Sequence, residues 1–101
     1  MDMRQIQSDD GILFRVTGRF EIAVSARFFD TALAAANASP GSNMTIDVGG
    51  LQYIDSSGLG KLVQLSRHLA DSGRTFSVVN AQGDVLKAFQ LFQLSKLMVV
   101  G

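Results

Sequence analysis

Apolar and polar residues alternate along this chain in two rhythms, and the switches between them outline the elements. Residues 4–7 and 12–18 follow the period-two rhythm of strands; in the second, Ile12, Phe14 and Val16 alternate with Leu13, Arg15 and Thr17. Asp9-Asp10-Gly11 stands between them, where Asp-Gly is a strong hairpin signal, and Gly18 is expected to end the second strand. Residues 23–37 are rich in alanine and place Phe28, Phe29, Ala32 and Ala36 on one side, which predicts a helix. Phe28 and Phe29 are adjacent and cannot share a narrow stripe, so one of them lies at the edge of the buried face. A loop over 37–43 follows, punctuated by Pro40 and Gly41.

The strand rhythm returns in Met44-Thr45-Ile46-Asp47-Val48, followed by Gly49-Gly50 and a polar knot, Tyr53-Ile54-Asp55-Ser56-Ser57-Gly58-Leu59-Gly60. Leu59, Leu62, Val63, Ser66, Leu69 and Ala70 then recur at helical spacing and mark the buried face of a helix over about 57–72. Gly60, Gln64, Arg67 and Asp71 face solvent on it, flanked by Lys61 and His68. Gly73 sits where a C-cap glycine belongs. Thr75–Val79 reads as a strand, and Val85, Leu86, Ala88, Phe89 and Phe92 predict a short helix between 83 and 93. Leu97–Val100 reads as a last strand. Phe89, Phe92 and Met98 are assigned to the core, since aromatic residues at helical spacing usually belong there. The order β-β-α-β-α-β-α-β predicts an α/β fold with a mixed β-sheet packed with helices, its parallel strands joined by right-handed crossovers.

Composition narrows the function. A chain of 101 residues, 47% hydrophobic and 18% charged, makes one globular domain over 1–101. Nine basic and nine acidic residues cancel, which leaves no basic stripe for nucleic acid. The absence of cysteine excludes disulfides, thiol catalysis and thiolate metal sites, and a lone His68 argues against a histidine-built metal site. No signal-like segment or membrane-length apolar run is present, so the expected location is the cytoplasm, without membrane insertion.

The polar knot is the one place where chemistry can be read. Asp and Ser are preferred N-caps, and capping alone, worth about 1 kcal/mol, would account for them. A nucleophile elbow needs Gly-x-Ser-x-Gly and neither serine has it. His68 lies roughly 16 Å along the same predicted helix from Ser57, too far to serve as a base. Gly58-x-Gly60 followed by Lys61 lacks the third glycine of a phosphate loop. Asp47, Asp55 and Asp71 have no metal-ligand spacing. The chain is therefore not expected to be an enzyme, and no cofactor or metal is implied. A serine at a helix start can instead be a substrate. A phosphoryl group there adds about −1.5 to −2 charge, which the helix N-terminus tolerates while a docked partner would meet a new anion.

These residues resemble the signature of STAS domains of the bacterial anti-sigma factor antagonist type, centred on Ile54-Asp55-Ser56-Ser57-Gly58-Leu59-Gly60. Thr17-Gly18-Arg19-Phe20-Glu21 is similar to the family's turn after the second strand, with Arg-Phe-Glu in place of the commoner Glu-Leu-Asp. Gly73–Val79 is similar to its glycine followed by the next strand. The resemblance implies partner switching: the unphosphorylated domain binds a serine kinase that is also an anti-sigma factor (GHKL-type) or a similar regulator. Phosphorylation releases it, and a serine phosphatase resets it. It implies Ser56 as phosphoacceptor, Asp55 as its acidic neighbour and Ser57 as the capping residue. Glu21 would lie in the adjoining loop, and Gly58, Gly60, Lys61 and Gln64 would extend the docking surface. Two other readings stand beside it. One is a constitutive STAS accessory subunit of a transporter or signalling complex, never phosphorylated. The other is a small nucleotide-binding protein using Gly58, Gly60 and Lys61.

Overall fold

The computed structural model describes residues 1–8, 11–96 and 98–101, and for residues 7 and 8 the backbone alone. Strands β1 (Asp2–Ser8) and β2 (Gly11–Phe20) are followed by helix α1 (Ile22–Ala38) and strand β3 (Met44–Ile54). Helix α2 (Ser56–Asp71), strand β4 (Phe76–Val79), helix α3 (Gly83–Leu91), a 3-10 turn (Leu94–Lys96) and strand β5 (Val99–Val100) complete the chain. The five strands lie in sequence order; β1 is antiparallel to β2 and every other neighbouring pair is parallel. Asp9 and Asp10 of the expected turn, and Leu97 of the expected last strand, lie outside the described residues.

Each crossover steps one strand in the same direction, so right-handed connections lay all three helices on one face. The burial follows. Ile12, Phe14 and Val16 of β2, Met44, Ile46 and Val48 of β3, and Phe76 and Val78 of β4 are buried under the helices. Arg15 and Thr17, on the opposite face of β2, are exposed. Phe28, Ala32 and Ala36 are the buried stripe of α1, with Phe29 at its edge. Phe20 and Phe28 meet at 4.7 Å between ring centroids, in a tilted pair that ties β2 to α1.

Several expectations need correction. Gly18 does not end β2: it takes φ +89 inside the strand, and the β2–β3 register shifts between Gly18 and Arg19, so the strand absorbs the glycine as an irregularity and runs on to Phe20. Gly49-Gly50 does not end β3 either. Between Arg15↔Asp47 and Thr17↔Gly50, β3 uses one residue more than β2, a bulge that carries the strand on to Ile54. A Cβ at Gly50 would come within 2.5 Å of Thr17 Cγ2, so close strand approach requires glycine there. On α2, Leu65 joins the buried face and Ala70 is exposed. At the far end of α2, Gly73 (φ +74) donates to Ala70 O at 2.9 Å and Arg74 to Leu69 O at 2.9 Å, the paired bonds of a Schellman cap.

Candidate partner-docking site

β3 delivers Asp55 in extended conformation at the N-cap of α2, where Oδ1 accepts the Gly58 N–H at 2.9 Å. The other oxygen, Oδ2, accepts the N–H of Ile22 at 2.9 Å. Ile22 opens α1, whose own N-cap, Glu21, makes no side-chain capping bond. One carboxylate thus satisfies orphan N–H groups at the starts of two helices. The cap is Asp55 and not Ser57, which lies half-buried inside the first turn. An aspartate leaving a strand in extended conformation reaches the N–H three residues on, whereas Ser57 is already helical.

That division of labour leaves Ser56 exposed at the first helical position, and its hydroxyl has no hydrogen-bond partner among the described residues. Gly58 is buried so tightly that an added Cβ would stand 2.8 Å from Phe20 Cδ1 and 2.9 Å from Ile54 Cγ1. Gly60, two residues on and about one turn past Ser56, has open space where its Cβ would be. The difference separates the two glycines of the motif: Gly58 lets the helix sit down on the core, and Gly60 keeps the surface beside Ser56 low.

The remaining expected residues surround this point. Glu21 accepts from Arg19 Nε at 3.0 Å, and the Arg19 guanidinium lies 4.3 Å from the Tyr53 ring centroid. Lys61 leans onto α1, its Nζ 5.0 Å from the Phe29 ring centroid. Gln64 is exposed on the next turn of α2. Ser56, Leu59, Gly60 and Val63 form, with Phe92 and Leu94, a shallow apolar depression of about 270 Å³. Phe92 was expected in the core and is instead 55% exposed. α3 stops at Leu91 and Gln93 turns left-handed (φ 54), so the helical period that assigned Phe92 inward ends one residue before it. Ile22 and Tyr53 are also exposed, giving three large apolar side chains around the start of α2.

The other titratable candidates go elsewhere. His68 Nε2 is 3.2 Å from Asn37 Oδ1, and Asp71 is exposed at the far end of α2. Asp47 lies on the helix-free face of the sheet, where burial opposes its ionisation. Bonds from the Gly49 N–H (2.9 Å), the Asn80 side chain and Arg15 (3.4 Å), together with the Arg15 charge, outweigh that and hold its carboxyl below the usual range. No helix among the described residues is long and apolar enough to cross a membrane.

Comparison with known proteins bears on the fold as a whole. Residues 3–100 match the family model described as Mlab, STAS domain. No curated protein matches the chain by sequence. The crystal structure of an anti-sigma factor antagonist from Mycobacterium paratuberculosis superposes with a TM-score of 0.86 at 21% identity, covering 98% of this chain and 83% of that one. The Bacillus cell-fate determinant SpoIIAA in its phosphorylated form gives 0.77 at 17% identity, covering 99% and 91%. Part of the murine anion transporter Slc26a9 gives 0.77 at 19% identity, covering 93% of this chain and 16% of the transporter.

Proposed function

The chain belongs to the STAS domain family, and from that premise we propose that it is a phospho-switch that works by binding and not by catalysis. In this reading the unphosphorylated domain, in the cytoplasm, docks a GHKL-type serine kinase that is also an anti-sigma factor, or a similar regulator. Phosphorylation of Ser56 ends the contact, and a serine phosphatase restores it. The observation that carries the proposal is the separation of duties at the start of α2. Asp55 does the capping, while the Ser56 hydroxyl stands free and exposed at the lip of an apolar depression.

A phosphoryl group on Ser56 would bring about −1.5 to −2 charge to that lip. Of the cations nearby, Arg19 is engaged by Glu21 and Tyr53, and Lys61 lies against Phe29. A partner covering Ile22, Tyr53 and Phe92 would therefore desolvate a poorly compensated anion. Moving a complex from almost fully bound to almost fully free takes about 5.5 kcal/mol of differential stabilisation, within reach of a buried unpaired charge. Glu21, Asp55, Ser57, Gly60, Lys61 and Gln64 complete the docking surface in this reading, with Glu21 and Asp55 holding its shape; Gly58, expected there too, is buried against Phe20 and Ile54 and gives a partner nothing to touch.

The test is capture from the native lysate with wild type, Ser56→Ala and Ser56→Asp as baits, followed by mass spectrometry of prey and bait. Retention of a kinase-like ATPase by Ser56→Ala, its loss by Ser56→Asp and phosphate on Ser56 of the wild type are the expected results. The second reading, a constitutive accessory subunit, draws on the likeness to a domain within a transporter and on the fact that Asp55 alone explains the cap. It takes over if all three baits hold the same partner and Ser56 is never modified.

A further inference from the structure

The sheet has two edges, and they are built differently. β5 is two residues long and offers a neighbour little backbone. β1 runs seven residues in unbroken register with β2, from Asp2↔Thr17 to Ser8↔Gly11. In an antiparallel pair, successive residues direct their N–H and C=O groups alternately toward the partner strand and away from it. The Met3 N–H bonds the side chain of Asp2 at 3.1 Å, so Met3 faces away from β2, and Gln5, two residues on, does the same. Asp2 is the one acid of this strand, and its carboxylate blunts the edge at Met3 only.

The surface beside this edge is shaped and charged. Between β1 and α1 a groove of about 420 Å³ has Met3 and Val24 over a floor of Phe14 and Phe28, with Arg27 and Thr31 at its exposed side. Met3 pairs with Val16, which places it on the helix face; Arg4 pairs with Arg15, on the bare face. Arg4 and Arg27 are both exposed, and neither has an ion-pair partner among the described residues.

We propose that the β1 edge is a second docking site, which accepts an extended, alternately apolar and acidic segment of a partner protein as a sixth strand. Backbone groups around Gln5 supply the new ladder. Alternate side chains of an added strand point to opposite faces. Apolar ones enter the groove over Phe14 and Phe28, acidic ones lie beside Arg4 on the bare face, and Arg27 holds an acidic group at the groove's mouth. A second copy of this chain would bring its own Arg4 and Arg27 to the seam, so charge favours a foreign, acidic strand. β1 lies two strands away from β3, which leads into Ser56, so the site works whatever the state of that serine.

The probe is a fluorescein-labelled ten-residue peptide of alternating Glu and Val, titrated by anisotropy, with a Lys-Val peptide as charge control. Wild type and Ser56→Asp are expected to bind the Glu-Val peptide equally and to ignore the Lys-Val one. Gln5→Pro removes only an edge N–H and leaves the β2 ladder intact. It should weaken binding about ten-fold or more, as should Arg4→Glu with Arg27→Glu. In amide exchange, Gln5 should gain protection on binding. Absence of Glu-Val binding, equal binding of both peptides, or indifference to the arginine reversals overturns the proposal. So does a concentration-dependent dimer that Gln5→Pro abolishes, since the occupant is then a second copy. If Gln5→Pro fails to fold, the arginine variant and the protection of Gln5 decide.

Discussion

Replacing Asp55 tests whether one carboxylate really serves two helices. Asp55→Ala removes the acceptor for Gly58 N–H, an N-cap loss of about 1 kcal/mol, and also the acceptor for Ile22 N–H. A hydrogen bond to a charged group contributes about 1.5–3 kcal/mol, and the lower end applies because Asp55 is only half-buried. Together the variant should lose about 2.5 kcal/mol. In a domain of this size each kcal/mol moves the midpoint by about 4–8 °C, so the melting temperature should fall by about 10–20 °C. Asp55→Ser separates the two bonds, since a serine caps its own helix but is too short to reach Ile22. Its loss should be about 1.5–2 kcal/mol. Asp55→Asn keeps one acceptor oxygen and turns an NH2 toward the other N–H, so it should fall between wild type and Ala. Thermal and urea unfolding followed by circular dichroism measure all three. If Asp55→Ser melts with the wild type and Asp55→Ala loses no more than a single cap, the Ile22 bond contributes nothing and the two-helix argument fails.

Two further outcomes follow from the same structure. Gly58→Ala should destabilise by about 1–3 kcal/mol, because its Cβ meets Phe20 and Ile54, whereas Gly60→Ala should stabilise by about 0.5–1 kcal/mol. Equal effects in urea unfolding would mean that the packing against Phe20 is not what selects glycine at 58. Asp47 supplies a pH dependence. Its folded pKa lies below the ordinary aspartate value of about 3.9, so its stabilisation is complete above that value and is lost as pH falls through the folded one. Asp47→Asn should therefore be less stable than wild type at neutral pH, and the gap should close below about pH 4. A gap unchanged from pH 7 to pH 2 would refute an ionised, hydrogen-bonded Asp47.

Much of this was legible in the chain because local chemistry carried it. The alternation in Ile12–Val16, the alanine-rich run and Gly73 each announce an element through short-range preferences, and the order of elements leaves few topologies. The misses are places where a neighbour distant in sequence decides. Gly18 and Gly49-Gly50 read as stops, yet paired strands absorb them as bulges, and only the register shows that. Phe92 kept its helical period on paper after the helix had ended. The Asp55–Ile22 bond spans residues far apart in the chain, and no window of sequence contains both ends. The motif pointed to the start of α2, but the division between Asp55 as cap and Ser56 as free hydroxyl required the geometry of the first turn.

The shared carboxylate also bears on how such a chain can drift over generations. Ser56 could be lost, or the space above Gly60 filled, with no penalty to the architecture. Asp55 has no such freedom, because asparagine and serine each meet only one of its two obligations, and repairing both at once takes coordinated changes in two separate crossovers. The aspartate of the motif is then the inheritance of the fold, and the serine beside it is free to follow whatever use the domain is put to. Descendants that keep the first without the second would be expected wherever the domain was retained only as a scaffold.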